Sequence, residues 1–129
     1  MIHYYCLFAR NYEIHILVET RLLIFPMKFK KQFYRDPDVT RVARRLLGKL
    51  IYTNIGNKLT GGRIVEVEAY CGAVDRASHA YKNKLTERTK TMFEDGGICY
   101  VYLCYGIHNL FNIVTNTRGM ADAVLVRAV

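Results

Sequence analysis

The sequence predicts a single domain of the α+β class. Three observations predict it: an amphipathic helix pattern over residues 36–48, strand patterns over residues 49–70 and 123–129, and a hairpin pattern over residues 98–115. No internal repeat, low-complexity tract or linker divides the chain. With 129 residues, of which 51% are hydrophobic, the chain has room for one domain with a modest core.

The first element is the helix in "DPDVTRVARRLLGKL". We predict Asp36 as its N-cap, Pro37 as its first helical position and Gly48 as its stop, because these residue types favour those positions. The three arginines of the segment lie off the apolar stripe and face solvent or a partner. That stripe consists of Val39, Val42, Ala43, Leu46 and Leu47.

Two strands with a turn at residues 54–57 follow the helix, and the second is predicted to run unbroken to Tyr70. Alternation places Ile64, Glu66, Glu68 and Tyr70 on one face of that strand, so two carboxylates share a face with an aromatic ring. A carboxylate near a strand end is most often an edge group or half of an ion pair. Glu68 alone therefore predicts no site.

The stretch "YVYLCYG" begins the predicted hairpin. One strand is expected from Ile98 to Tyr105 and its return from Leu110 to Thr115, with "GIHN" at the bend. Alternation places Tyr100 and Tyr102 on one face and directs Tyr105 to the other face, where the chain turns. A strand that only packs in the core would not need the third ring, Tyr105, at the bend. The alternative is that the tyrosines reflect only the high β propensity of aromatic residues.

The charge of the chain favours a polyanionic partner. The net charge is +8 and the pI about 9.5. Residues 1–26 contain two basic and two acidic residues, which leaves 17 of the 19 basic and 9 of the 11 acidic residues from Met27 onward. Nucleic acid or an anionic membrane surface would suit this excess.

The cysteines do not predict a metal site, and the N-terminal segment does not predict a membrane anchor. Cys6, Cys71, Cys99 and Cys104 are not at metal-ligand spacing, so we expect reduced thiols in a cytoplasmic protein. Charged residues interrupt every apolar run of residues 1–26, so we expect neither an export signal nor a membrane anchor there. Because "MKFKKQFY" is typical of a bacterial N-terminus, we interpret residues 1–26 as an atypical extension and residues 27–129 as the functional domain.

The residues that follow Glu68 favour a pocket for a single base. Tyr70 and His79 bring rings close to the carboxylate, and a basic stretch follows at once, with Lys82, Lys84, Arg88 and Lys90. Stacking of a base on an aromatic ring is worth about 1–3 kcal/mol, which helps offset the few kcal/mol needed to unstack and unpair a nucleotide.

Four collinear blocks then identify a resemblance. "GRIVEVEAYCGAVDRASHA", "MF" at residues 92–93, "YVYLCYGIHNLFNIVT" and "AVLVRAV" together resemble the alkyladenine (3-methyladenine) DNA glycosylase family from about Asp36 to Val129. The resemblance implies a compact domain on a curved antiparallel sheet with flanking helices and a β-hairpin that inserts into DNA. It also implies monofunctional removal of alkylated or deaminated purines from double-stranded DNA, without metal or cofactor.

The resemblance assigns roles residue by residue. Glu68 corresponds to the general base that activates water, and Arg127 to an arginine that helps position the water and the DNA. The rings that enclose the extruded base correspond to Tyr70, His79 and Tyr102, and Asn112 corresponds to the amide that disfavours guanine through its exocyclic amino group.

The DNA contacts follow from the same resemblance. Tyr105 corresponds to the tyrosine that enters the minor groove and fills the gap left by the flipped nucleotide. Thr86 and Arg88 fall where the family approaches DNA with a Thr-Pro-Arg sequence, although Glu87 replaces the proline, and His108 lies beside Tyr105 at the bend. We expect a monomer that is cytoplasmic and associated with the nucleoid through DNA, with no membrane partner.

Two alternatives remain open at the level of sequence. One is a nucleic-acid binding module that stacks bases without cleaving them. The other is an inactive fragment, because members of the family continue past the position of Val129 and the resemblance implies a sheet that is incomplete at the C-terminus.

Overall fold

The computed structural model describes residues 7–9, 12–18 and 27–129, with side chains from Lys28 onward. The α+β prediction is confirmed, because two antiparallel sheets combine with little helix. Two 3₁₀ turns lie at Tyr81–Asn83 and Lys90–Phe93. The helices are α1 (Lys31–Tyr34) and α2 (Val39–Leu46), and the strands are β1 (Leu7–Ala9), β2 (Tyr12–Val18), β3 (Met27–Lys28), β4 (Leu50–Ile55), β5 (Lys58–Arg63), β6 (Glu66–Tyr70), β7 (Cys99–Cys104), β8 (His108–Thr115) and β9 (Asp122–Ala128).

The sheet that carries the functional residues has four strands in the order β6-β9-β8-β7, all antiparallel. One face packs against α2 in a core that includes Val42, Leu46, Ile113 and Val124. The other face is covered by the segment of residues 71–98, whose buried Ala80 and Met92 pack against Tyr100 and its neighbours. Strands β1, β2, β4 and β5, with β3 beside β2, form the second sheet.

The helix starts two residues later than the sequence predicts. Its N-cap is Asp38, whose Oδ1 accepts hydrogen bonds from the backbone N–H groups of Thr40 and Arg41 at 3.0 and 3.1 Å. Asp36 instead accepts from the Asp38 N–H and pairs with the Arg41 side chain. Both aspartates are good caps by residue type, and only the one that reaches the second and third helical N–H groups acts as one. Gly48, with a φ of +77°, ends the helix as predicted.

The second predicted strand is interrupted, which corrects its pattern of faces. Ile64 donates its N–H to Lys49, whereas Val65 donates its N–H to Ala128, so the backbone passes from one sheet to the other between these two residues. Ile64 is fully buried beside α2 and Val65 is 62% exposed, so Ile64 does not share the face of Glu68. Alternation holds only within a continuous strand.

The predicted hairpin is present with a tighter bend. Cys104 pairs with His108, so the return strand begins at His108 and not at Leu110. Tyr105 lies at the bend with a φ of +52° and is 92% exposed. A large side chain with positive φ is strained, and such strain is stored mainly at functional positions.

The N-terminal strands extend the second sheet through backbone pairing. Residues 13–17 of β2 pair with residues 50–54 of β4, which is bordered by β5 on its other side. Cys6 lies outside the described residues, and among the residues that the structure describes no disulfide joins Cys71, Cys99 or Cys104. Within the described residues, no helix is long and apolar enough to cross a membrane.

A chain that begins at Met27 is expected to be less stable than the whole chain. It leaves one edge of β4 without its partner, and each backbone hydrogen bond is worth about 0.5–1.5 kcal/mol net. We expect the free energy of unfolding, measured with urea, to fall on the order of 2 kcal/mol. Removal of residues 1–6 alone is the control, because it keeps β1 and β2. Equal stability of the two shortened chains would contradict a role for this pairing.

Candidate active site

The candidate site lies on the face of the four-stranded sheet opposite α2. The register brings its members side by side: Tyr70 pairs with Ala123, and Leu125 lies opposite Glu68 on one side and Asn112 on the other. Tyr100 pairs with Asn112 at the next strand. Paired residues project to the same face of a sheet, so these side chains converge from four strands.

Glu68 is held by two side chains. The Tyr70 hydroxyl donates a hydrogen bond to Glu68 Oε2, and Arg127 Nη1 lies 3.2 Å from Glu68 Oε1. Arg127 Nε lies 3.8 Å from Glu66 Oε1. The register between β6 and β9 shifts at Glu66 and Val67, so no residue of β6 lies directly opposite Arg127 in the backbone pairing. The Arg127 guanidinium therefore lies close to the side chains of both glutamates.

The Tyr70 hydroxyl remains protonated at neutral pH. Its hydrogen bond to Glu68, followed by burial, raises the pKa of Tyr70 to about 12. The Glu68 side chain stays 40% exposed. Since a carboxylate has about four lone-pair sites, Glu68 can accept a further hydrogen bond from water while it binds Tyr70 and Arg127.

An aromatic cluster forms the pocket beside this carboxylate. His79 Nδ1 lies 3.0 Å from the Tyr100 hydroxyl, and the His79 ring centroid lies 4.5 Å from that of Tyr102. The space among these rings is open to solvent. Its walls are Tyr70, Ala77, Ser78, His79, Met92, Tyr100, Tyr102, Asn112 and Ala123.

The rings of His79 and Tyr102 are in contact with each other. A base between them needs a van der Waals contact on each side, which separates two rings by roughly 7 Å. Their observed separation of 4.5 Å leaves no such gap. A base that stacks on both rings therefore has to separate them.

Arg88 lies at the mouth of this pocket. Its Nη2 is 3.2 Å from His79 Nε2, and its Cζ lies 5.4 Å from the centroid of the Tyr102 ring. The guanidinium can only donate, so His79 Nε2 accepts and the ring proton is on Nδ1, which donates to the Tyr100 hydroxyl. His79 is thus neutral in this arrangement.

The stability of the chain is expected to decrease below pH 6.5 through His79. Burial, and then the charge of Arg88, lower the pKa of His79 from its usual 6.5, so the unfolded chain takes up this proton at a higher pH than the folded chain. The contribution is complete above pH 6.5 and is lost as the pH falls through the lower, folded pKa. Urea unfolding at pH 7 and pH 5 should give a smaller difference for His79→Gln than for the wild type. The control is His108→Gln in the exposed hairpin, and an unchanged difference in His79→Gln would contradict the assignment.

Asn112 forms part of the pocket floor. Its side chain is 3% exposed, and its Nδ2 donates to the main-chain oxygens of Tyr100 and Leu110 at 3.1 and 3.3 Å. These two bonds fix the amide in place. A fixed, buried amide presents an unyielding surface to any base in the pocket.

The predicted DNA-contacting residues lie at two separate places. Tyr105 and His108 are exposed at the tip of the β7–β8 hairpin. Thr86 lies in the segment that covers the pocket, where its Oγ1 is 3.0 Å from Thr89 Oγ1 and stabilises a local turn. Glu87, which replaces the proline, is exposed and pairs with Lys90 at 2.7 Å.

Tyr100 and Asp122 support the site, but no role was predicted for either of them from the sequence. Tyr100 is 5% exposed, and its hydroxyl is hydrogen-bonded to His79. Alternation placed Tyr100 on the same face as Tyr102, and this pattern could have assigned Tyr100 to the pocket. Asp122 is 3% exposed and accepts hydrogen bonds from the Gly72 N–H at 3.0 Å and from Asn116 Nδ2 at 2.9 Å. Asp122 thereby anchors the start of the segment that carries His79, and no sequence pattern marks this role.

Comparison with known proteins identifies similar chains. A family model described as Methylpurine-DNA glycosylase (MPG) matches residues 32–129. A protein of Alkaliphilus oremlandii is 50% identical over 103 residues, which are 80% of this chain and 50% of that protein. A protein of Chlamydia felis is 46% identical over 99 residues, which are 77% of this chain and 51% of that protein.

A third relative, from Clostridium botulinum, is 43% identical over 102 residues, or 79% of this chain and 50% of that protein. Each of these relatives carries the name "Putative 3-methyladenine DNA glycosylase". The chain spans about half the length of the curated relatives it matches. The family match covers most of the chain and contains every residue of the candidate site, so the chain belongs to the methylpurine-DNA glycosylase family.

Proposed function

We propose that this chain carries the base pocket and the catalytic carboxylate of a DNA glycosylase that removes alkylated or deaminated purines from double-stranded DNA. One observation carries the proposal. Glu68 is bound by Tyr70 and Arg127, and Tyr70 also lines a pocket whose walls include the rings of His79, Tyr100 and Tyr102. A carboxylate beside a stacking site is the arrangement that hydrolysis of an N-glycosidic bond needs.

The reaction assigns Glu68 as general base. Its carboxylate takes a proton from water, the water oxygen forms a bond to the sugar C1′, and the C1′–N bond breaks with its electron pair leaving on the base. Positive charge develops on the sugar in the transition state, and the anionic Glu68 stabilises it. Arg127 and Tyr70 act as positioning residues, because each donates to the carboxylate and limits its rotation.

The pocket recognises the extruded purine through stacking and exclusion. The rings of Tyr70, His79 and Tyr102 offer π-faces, which stabilise a stacked base by about 1–3 kcal/mol each. A cationic alkylated purine gains further from an electron-rich ring. Asn112 stands at the floor, where the exocyclic amino group of guanine meets a fixed amide.

Replacement of Asn112 by alanine should relax discrimination against guanine. The smaller side chain leaves room for the exocyclic amino group, so excision of undamaged guanine should rise at least about tenfold relative to excision of hypoxanthine, the scale of a removed clash. The matched control is Asn109→Ala on the exposed hairpin. Unchanged relative rates in Asn112→Ala, measured by release of free bases from two duplexes, would remove this role.

DNA binding is assigned to the hairpin and to the basic surface. Tyr105 enters the minor groove as a wedge and fills the space of the flipped nucleotide, with His108 beside it. Thr86 and Arg88 approach the backbone, and the excess of positive charge from Met27 onward attracts the polyanion. We assign the glycosylase function to residues 27–129, acting as a monomer in the cytoplasm on chromosomal DNA, and no role in it to residues 1–26.

The proposal is tested by product analysis on a panel of duplexes with hypoxanthine, ethenoadenine, 3-methyladenine or 7-methylguanine at one position. The whole chain and a version extended to the length of its relatives are compared, and circular dichroism reports whether each of them is folded. Free base together with an alkali-labile abasic site supports the glycosylase. Tight binding to damaged duplexes without base release by either version would favour a binding module, and an unfolded chain that gains activity only on extension would identify it as a fragment.

A further inference from the structure

Arg88 occupies a position that the proposed phosphate contact does not explain. Its guanidinium lies at the pocket mouth, within hydrogen-bonding distance of His79 Nε2 at 3.2 Å, and 5.4 Å from the Tyr102 centroid. His79 and Tyr102 are two of the rings that are expected to enclose the extruded base.

The charge of Arg88 is not neutralised by a neighbouring acid. In the part of the chain that the structure describes, no carboxylate pairs with Arg88, and the adjacent Glu87 pairs with Lys90 at 2.7 Å. The other cation at the site, Arg127, pairs with Glu68 at 3.2 Å, so these two charges offset each other. His79 is neutral because its Nε2 accepts from Arg88.

The Tyr102 ring therefore already has a cation, the Arg88 guanidinium, close to it. An electron-rich ring attracts a positive charge within about 6 Å of its centroid, and the guanidinium lies within that range. A cationic alkylated purine on Tyr102 would compete with Arg88 for this attraction and would also meet its repulsion. A neutral purine such as hypoxanthine meets neither penalty and can stack beside the planar guanidinium.

We propose that Arg88 determines specificity at this pocket by favouring neutral damaged purines over cationic ones. The inference rests on the proposed function, because it presumes that the pocket receives an extruded purine. It opposes the general attraction of aromatic rings for cationic lesions, and it gives Arg88 a role that differs from a uniform contact with phosphate.

The test measures binding to two duplexes whose damaged nucleotides carry a 2′-fluoro substituent, which prevents loss of the base. One contains cationic 7-methylguanine and the other contains neutral hypoxanthine, at the same position in the same sequence. Dissociation constants of the whole chain are compared for the wild type, Arg88→Gln, Arg88→Lys and Lys90→Gln. Lys90→Gln is the matched control, because Lys90 lies two residues away and contacts neither His79 nor Tyr102 in the structure.

The inference predicts a change in the ratio of the two affinities. In Arg88→Gln, the ratio of the affinity for the 7-methylguanine duplex to the affinity for the hypoxanthine duplex should be about fivefold or more higher than in the wild type. This is the factor for two like charges about 4 Å apart in water. Arg88→Lys should change the ratio less, because it keeps the charge, and Lys90→Gln should leave the ratio unchanged. Any effect of the guanine amino group on Asn112 is common to all four proteins, so it cancels when their affinity ratios are compared.

Two other outcomes have distinct meanings. If Arg88→Gln weakens binding to both duplexes by the same factor, Arg88 is only a phosphate contact and the inference is overturned. If the wild type binds neither damaged duplex more tightly than an undamaged one, the proposed function fails, and the inference fails with it.

Discussion

Glu68→Gln is expected to lower the single-turnover rate of base release by about 10²–10⁴-fold, the range for loss of a general base. Glutamine has nearly the same size, and its Oε1 can still accept from Tyr70 or Arg127, so the pocket should remain intact. It cannot take a proton from water. Affinity for a duplex with one damaged purine should therefore stay within about threefold of the wild-type value, since binding does not use the proton transfer.

Glu66→Gln is the matched control for this prediction. Glu66 lies on the same strand, and its Oε1 is 3.8 Å from Arg127 Nε, but Tyr70 donates to Glu68 and not to Glu66. The same loss of one negative charge should change base release by less than about threefold, in the range of an exposed ion pair. Equal losses of rate in the two variants would mean that charge near Arg127 matters and that Glu68 is not the base.

Tyr105→Gly is expected to affect DNA binding and folding differently. Tyr105 has a φ of +52° and is 92% exposed, so the fold gains little from its ring and bears its backbone strain. Glycine removes a strain of about 1–2 kcal/mol but adds about 0.5–1 kcal/mol of backbone entropy to the unfolded chain. The free energy of unfolding should therefore stay constant or rise slightly. Affinity for damaged duplex should fall roughly 5- to 150-fold, the equivalent of about 1–3 kcal/mol of lost stacking.

Asn57→Gly provides the comparison for the hairpin. Asn57 also has a positive φ, +62°, at the turn between β4 and β5 on the other sheet. The substitution should relieve a similar backbone conformation without any change in DNA affinity. Undiminished affinity of Tyr105→Gly, measured beside Asn57→Gly by fluorescence anisotropy, would show that Tyr105 does not act as a wedge.

The sequence predicts the arrangement within a strand better than the arrangement between elements. Alternation places Glu68 beside Tyr70 and Tyr100 beside Tyr102, and both pairs are in contact. Side chains in a strand repeat every two residues, so this information is local. The contact between Arg127 and Glu68 depends on the register of β6 with β9, which alternation within one strand does not predict. Only the resemblance assigned both residues to the site.

Features that depend on tertiary contacts could not be read from residue types. The break at Ile64 and Val65 follows from two backbone hydrogen bonds to different sheets. Both aspartates of "DPD" are good caps, and only their geometry selects Asp38. The position of Arg88 against His79 and Tyr102 depends on how the covering segment folds back over the pocket, and Asp122, distant in sequence, anchors that segment.

The most direct test of the account is single-turnover release of hypoxanthine from one duplex, followed by mass spectrometry of the free base. The chain extended to the length of its relatives is compared with its Glu68→Gln variant, each in excess over the DNA. The account predicts free hypoxanthine and an equal amount of abasic sites from the extended wild-type chain, and neither product from the variant in the same time. Tight binding without release by the wild type, or release that persists in Glu68→Gln, would contradict it.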